Sequence, residues 1–429
     1  MTLDEQRACK SYNDEGMAAL VQQKAFPPAG KIATIVKGDK EAQSVWKDIQ
    51  ASGLVPSHVR VKDATGDHAA PVLKGYNARK DPDCWWSASG CKRPKHKKLV
   101  TDIYECPEPS TWGLTFDDGP NCSHNAFYDF LKKKKLKATM FYIGTNVVNW
   151  PLQAQRGIVD GHDLCGHSWS HRAMTTLSNE QAFAELYYTA KAIKTATGVT
   201  PSCWRPPYGD VDDRIRGIAA GLGLRTILWT ADTDDWNIKP LGHKTEAQIK
   251  RNYERILDNA ASESPIVLTH EINEYTMDMF EEMYPRIDSA FDHVVPVTAC
   301  QNITRPYTED ISYPDFASFT AGTIMPKGLP SASSIKTDRD AKYNAVPLSQ
   351  MENGYANPGK SATGRASGGG DQQDDAGASS ASSSSSTGSS SSAGSASTSA
   401  PNAASGAAIL FPRHAAAVAL VLAAAALVV

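Results

Sequence analysis

Trp112-Gly113-Leu114-Thr115-Phe116 runs directly into Asp117-Asp118-Gly119-Pro120. The first five residues are largely apolar and read as a short buried strand. The next four end it and leave two adjacent carboxylates at its C-terminal end. Side chains alternate along a strand, so neighbouring aspartates are expected to serve different tasks, one held by a metal and the other free as a base. Taken alone, Asp-Asp-Gly-Pro is an ordinary turn.

Outward from this stretch the pattern alternates. Residues 126–137 read as a helix whose lysine run faces solvent, 139–143 as a second strand and 160–164 as a third. Residues 179–197 form a long helical pattern stopped by Gly198, followed by a strand over 226–229, a helix over 246–261 and a strand over 265–269. Strands alternating with helices predict a parallel α/β sheet or barrel. In such folds chemistry gathers at the strand C-termini.

Four further clusters fall where strands end. His167-Ser168-Trp169-Ser170-His171 puts two imidazoles four residues apart, as a metal pair needs. Ser168 stands where a metalloprotease helix needs its glutamate base, so that reading is excluded. With Asp118, the pair makes a His₂Asp set with open positions; zinc suits such ligands, and cobalt or manganese are alternatives. Arg205-Pro206-Pro207-Tyr208-Gly209-Asp210 offers a planar guanidinium that fits a carboxylate. Asp232-Thr233-Asp234-Asp235-Trp236 and Ile266-Val267-Leu268-Thr269-His270-Glu271 follow, with His270 a candidate acid. Singly, each cluster reads as a surface turn or a satisfied core residue.

In order and spacing, the five clusters resemble the motifs of the polysaccharide deacetylases of carbohydrate esterase family four, the NodB-homology domain, over roughly residues 105–305. The resemblance implies a distorted (β/α) barrel with fewer than eight regular repeats. It implies that Asp118, His167 and His171 hold one divalent metal, that Asp117 is the general base and that Arg205 orients it and keeps it ionised. The backbone N–H of Tyr208 would face the oxyanion, and His270 would protonate the leaving amine with Asp235, or alternatively Asp232, keeping it charged. Trp236 and Leu268 would wall the acetyl methyl. Glu271 departs from the family's usual aspartate. Together with the C-terminal tail, the resemblance points to the fungal branch that deacetylates chitin or chitooligosaccharides. A chitin-binding wall protein with little turnover, and a deacetylase of another acetylated polysaccharide, are the competing expectations.

The chain's ends bear on its compartment. It has 429 residues, a net charge of −3 and 41% apolar residues, enough for a sizeable core and too balanced in charge for a nucleic-acid binder. Residues 1–105 show little periodicity and read as an irregular extension packed on a catalytic domain over 106–305, with a C-terminal extension over 306–360. The Trp85-Trp86 pair within the first extension reads as core rather than as a sugar platform. Residues 361–405 read as a disordered Ser/Ala/Gly-rich stalk. Residues 406–429 read as a GPI-attachment signal, with Asn402 or Ser405 as the attachment residue. Its apolar stretch, 415–429, would span only about 22 Å at 1.5 Å per residue, short of a bilayer core. That signal predicts an enzyme at the plasma membrane and cell wall, although residues 1–20 lack the apolar core of a secretory leader; a monomer is expected. Eight cysteines suit an oxidising compartment. Cys84 and Cys91 are placed for a local loop, and Cys106 and Cys300 for a staple across the domain. Sequons lie at Asn121 and Asn302.

Overall fold

A computed structural model describes Cys9 and residues 11–65, 70–343 and 345–348. The stalk and the GPI signal expected over 361–429 lie outside the described residues.

The organising element is strand β1, Thr111–Gly119, buried along almost its whole length. Its alternation separates two layers. Trp112 stacks on Tyr253 and meets Phe291 edge-on, while Phe116 meets Phe127 and Phe280 edge-on, all among the surrounding helices. Thr115 and Asp117 take the other face and share one guanidinium, described below. Gly113 lies against Ile266 and Cys106 so closely that a Cβ would sit 2.9 and 3.0 Å from them.

From β1 the chain runs through helix α1 (His124–Lys133) to β2 (Thr139–Tyr142), then α2 (Gly144–Asn149), α3 (Pro151–Val159) and β3 (Asp163–Gly166). Helix α4 (Asn179–Thr197) leads to β4 (Cys203–Trp204), and α5 (Asp213–Gly221) to β5 (Arg225–Thr226). The remaining elements are β6 (Ala231–Asp232), α6 (Glu246–Leu257), β7 (Ile266–Leu268), α7 (Glu274–Ala290) and β8 (His293–Val295). The strand order is β5-β4-β3-β2-β1-β7-β6, with β8 alongside the start of β1, and every pairing is parallel. The two edge strands, β5 and β6, are connected through residues 227–230, beside which Ile103 pairs with Ile227 and Glu105 with Pro265, so the sheet curls into a distorted barrel. Helix α4 begins with a reciprocal cap between Ser178 and Gln181 and stops at Gly198, whose φ of 79° is the left-handed conformation that glycine adopts without strain.

Several boundaries differ from the sequence expectation. The strand expected over 226–229 is only Arg225–Thr226, because residues 227–230 cross between the sheet edges. The strand expected over 160–164 starts at Asp163, since the preceding residues close helix α3. The N-terminal extension is not wholly irregular. Among its described residues it holds helices Glu15–Gln22, Lys40–Ala51 and the single turn Trp86–Ser89, the second burying Ala42, Trp46 and Ile49 at helical spacing. Trp46 packs on Phe183 of α4 with ring centroids 5.1 Å apart. Trp85 is fully buried, and Trp86 lies half-buried against Trp229 at 4.9 Å.

Four disulfides cross-link the described chain: Cys9–Cys122, Cys84–Cys91, Cys106–Cys300 and Cys165–Cys203. The two expected pairs are among them. The first fastens the N-terminal extension to the loop after β1, and the last joins adjacent strands β3 and β4. Of the sequons, Asn302 is exposed, whereas Asn121 is partly buried with its Nδ2 donating to the Ile272 carbonyl at 2.7 Å. No helix among the described residues is long and apolar enough to cross a membrane.

Candidate active site

The five clusters converge at the C-terminal end of the barrel strands. The pairing of β1 with β2 runs Asp117 to Phe141 and then Gly119 to Tyr142, skipping Asp118. Asp118 has a φ of 73°, so it forms a bulge in the strand. The bulge breaks the side-chain alternation that would have sent the two carboxylates to opposite faces. Both therefore reach one site. Asn146 of α2 fixes the bulge by donating from Nδ2 to the Asp118 carbonyl at 2.8 Å.

The loop after β3 brings in the two imidazoles. His167 Nε2 lies 3.4 Å and His171 Nε2 3.2 Å from Asp118 Oδ1. Within the loop, the backbone N–H of His171 donates to Ser168 Oγ at 3.1 Å, and both residues hold left-handed φ values of 60° and 54°. His167 Nδ1 faces the carbonyl of Arg205 at 2.7 Å. A carbonyl only accepts, so Nδ1 carries the proton and Nε2 presents its lone pair to the site. Burial drives the His167 imidazole down to about 3, with Asp118 opposing, and so holds it in the neutral form a metal needs.

This donor set fits a divalent cation. Asp118 Oδ1 is buried without a hydrogen-bond donor, and the three ligand atoms lie within 4.8 Å of one another. A carboxylate oxygen facing an imidazole lone pair is an unfavourable contact that a cation converts into coordination. The other two groupings of potential ligands among the described residues each contain a disulfide pair, so their sulfurs are already bonded.

Asp117 stands beside this set without belonging to it. Its Oδ2 is 3.7 Å from His167 Nε2, while its Oδ1 accepts from Arg205 Nη1 at 2.7 Å. Arg205 is fully buried; the same Nη1 donates to Thr115 Oγ1 at 2.9 Å, and the guanidinium lies 4.1 Å from the Phe141 ring centroid. Burial lifts the Asp117 carboxyl above its ordinary value, and Arg205 and His270 pull it down without cancelling that lift. The ion pair therefore orients Asp117 more than it acidifies it, which suits a carboxylate that must accept a proton.

His270 follows β7, directly beside Asp117 across the sheet: the Glu271 N–H donates to the Asp117 carbonyl at 3.0 Å. Asp235 grips it twice. Oδ2 accepts the His270 backbone N–H at 2.8 Å and Oδ1 lies 2.6 Å from Nδ1. Burial by itself would push the imidazole down, but Asp235, with Asp118 and Asp117 behind it, raises it to about 10. Asp232 is exposed and its Oδ1 accepts from the Asp234 N–H, so the partner of His270 is Asp235. Glu271 turns away into the core. Its carboxylate lies 2.8 Å from His124 Nδ1 and occupies the space a Cβ on Gly119 would need.

The remaining predicted residues line the surroundings. Tyr208 holds a φ of 59°, is 37% exposed and packs its ring on His171 at 4.7 Å. Leu268 ends β7 with its carbonyl taken by Thr233, and Trp236 is half-buried in the short turn that carries Asp235. Sequence reasoning missed Thr115, Asn146 and Trp229, which lies 5.5 Å from the Arg205 guanidinium. None of them sits in a pattern of its own.

The polysaccharide deacetylase family model matches residues 104–227. Over 342 residues the chain is 46% identical to chitin deacetylase 2 of Cryptococcus neoformans var. grubii, an alignment spanning 77% of this chain and 72% of that protein. It is also 46% identical over 320 residues to a chitin deacetylase of Amylomyces rouxii, spanning 73% and 74% of the two chains. A solved chitin deacetylase structure from Colletotrichum lindemuthianum is 27% identical, covering 47% of this chain and 92% of that one with a TM-score of 0.43.

Proposed function

The chain belongs to the polysaccharide deacetylase family, and from that premise we propose that it is a hydrolase that removes acetyl groups from the N-acetylglucosamine units of chitin. The products are acetate and glucosamine units, that is, chitosan. The observation that carries the reading is the meeting of Asp118, His167 and His171 around one point, with Asp117 free beside them.

Asp118, His167 and His171 would hold a divalent cation, zinc by ligand type with cobalt or manganese as alternatives. When bound, it supplies Lewis acidity at an amide carbonyl and lowers the pKa of water toward roughly 7. Asp117 accepts a proton from the attacking water, held in aim by Arg205. The Tyr208 N–H faces the oxygen that gains charge as the carbonyl carbon becomes tetrahedral; loss of one such donor typically costs about 3–4 kcal/mol. His270 gives its proton to the amide nitrogen as the C–N bond breaks, and Asp235 keeps it protonated until that moment. The new C–O bond leaves with acetate. Trp236 and Leu268 form the wall for the acetyl methyl.

The Ser-rich stalk and C-terminal signal support an enzyme held at the plasma membrane by a GPI anchor on Asn402 or Ser405, facing the wall polymer it modifies; we take it to be a monomer. We assign the chain as extension to 105, catalytic domain 106–305, C-terminal extension 306–360, stalk 361–405 and signal 406–429.

The test is acetate release from N-acetylglucosamine oligomers by the purified protein, before and after chelation. Acetate and free amine formed in equal amounts, lost on chelation and restored by zinc, is the expected result. No turnover by zinc-loaded protein would overturn the hydrolase and leave a chitin binder.

A further inference from the structure

Two buried carboxylates outside the five clusters tie the catalytic loops to the N-terminal extension. Glu185, in the middle of α4, is fully buried. Its Oε2 accepts from the backbone N–H of Ser170 at 2.8 Å, and its Oε1 accepts from Ser170 Oγ at 2.7 Å. Ser170 stands immediately before His171. The same Oε1 accepts from the backbone N–H of Ala33 in the extension at 2.8 Å. Around this contact Trp169 is sandwiched from outside: Phe26 stacks on it at 5.8 Å, and its Nε1 donates to the Pro28 carbonyl at 3.2 Å.

Asp210 repeats the arrangement on the other side of the site. It is fully buried and follows Tyr208-Gly209. Oδ1 accepts from Trp85 Nε1 at 2.8 Å and from Ser87 Oγ at 2.7 Å. Oδ2 accepts from the Thr175 backbone N–H at 2.8 Å and from Thr175 Oγ1 at 2.7 Å. One carboxylate thus joins the extension, the Tyr208 turn and the chain leaving His171. The Trp86 ring closes over that turn so tightly that a Cβ on Gly209 would sit 2.2 Å from it.

A carboxyl group buried in an apolar interior is costly unless its oxygens are hydrogen-bonded. Here the partners come from the catalytic loops and from the extension together, so both loops are tied to the extension. Both loops carry left-handed, non-glycine backbone, at Ser168, His171 and Tyr208, which persists only where surrounding contacts determine it.

We propose that Glu185 and Asp210 are positioning residues for the metal loop and the oxyanion turn, and that the N-terminal extension completes both clamps and is part of the catalytic apparatus. The inference rests on the metal-site reading above. It predicts effects on metal affinity and turnover that loss of general stability would not produce.

The experiment titrates zinc into the metal-free full chain and measures kcat, KM and Tm in parallel, for wild type, Glu185→Gln, Trp85→Phe and Asp118→Ala. Glu185→Gln places an amide N–H₂ among three donors and is expected to weaken zinc binding about 10-fold, the low end of what losing a group bonded directly to a metal ligand costs, because Glu185 acts through Ser170. Trp85→Phe keeps an aromatic side chain, though a smaller one, and loses one donor to Asp210, and is expected to lower kcat severalfold with KM unchanged. If Glu185→Gln does not fold, Ser170→Ala removes a single donor to the same carboxylate and supplies the same readout. Wild-type zinc affinity in the Glu185 or Ser170 variant, whatever its Tm, overturns the role of Glu185. Wild-type kcat in Trp85→Phe overturns the share of the extension. Should Asp118→Ala bind zinc as wild type does, the metal-site reading fails, separately from the clamps.

Discussion

Asp235 holds His270 at two points, 2.8 Å to the backbone N–H and 2.6 Å to Nδ1. The first contact fixes the residue and the second fixes the ring, which leaves Nε2 as the nitrogen able to donate a proton to a substrate. Against the downward push of burial, Asp235 and the site aspartates raise the imidazole to about 10. A raised pKa means the proton is retained through neutral pH and lost only on the alkaline side. Asp235→Asn removes the dominant attraction and lets burial prevail. The alkaline limb of the kcat profile should then fall by more than roughly one pH unit, with activity at pH 10 down at least about fivefold. An unmoved alkaline limb would show that His270 is not the acid.

Asp117 lies beside the three ligand atoms and outside their set. Asp117→Asn keeps the volume and removes the proton acceptor. Zinc content should remain at the wild-type level while kcat drops by about 10²- to 10⁴-fold, the range that general-base removal gives. In contrast, His167→Ala should lose zinc and activity together. Metal analysis beside acetate release separates the two outcomes, and wild-type turnover in Asp117→Asn would reject its role.

Asp163 on β3 offers a pH test remote from the reaction. Burial raises its carboxyl to about 7, against hydrogen bonds from Thr139 and Tyr307 that lower it. The folded protein therefore binds a proton that the unfolded chain releases near pH 4. This contribution is fully present below about pH 4 and is lost as pH rises through about 7, amounting to at most ~4 kcal/mol at 1.36 kcal/mol per unit. Asp163→Asn should abolish that share of the pH dependence. Denaturant midpoints of the two proteins from pH 4 to 8 give the comparison, and parallel curves would contradict it.

Removing residues 406–429 should send the protein into the culture medium if they are a GPI-attachment signal. Fractionation of cells expressing the full and truncated chains measures this. Retention of the truncated chain on membranes would count against the anchor.

Much of the barrel can be read from local pattern. β1 shows in its short apolar run and the Asp117-Asp118-Gly119-Pro120 turn that ends it, and helix α4 in its helical pattern stopped by Gly198, signals that lie within or next to the element itself. The bulge at Asp118 is not legible that way. Alternation predicts divergent carboxylates, and only pairing with β2 shows one residue skipped. Helix Lys40–Ala51 carries a signal that sequence reading passed over: Ala42, Val45, Trp46 and Ile49 share one face, Lys40, Glu41, Lys47 and Asp48 the other, and Asp39 caps it. Helix α5 offers no such contrast, being buried all round. Glu185 and Asp210 are further still from local reading: their partners Ala33 and Trp85 lie 152 and 125 residues away, so nothing adjacent marks them.

The most direct test of the central claim is anomalous scattering at the zinc edge from crystals of the zinc-loaded protein. The account predicts one peak about 2.0–2.2 Å from Asp118, His167 Nε2 and His171 Nε2, with Asp117 outside bonding distance. A peak at any other set of residues, or one bonded to Asp117, would contradict it.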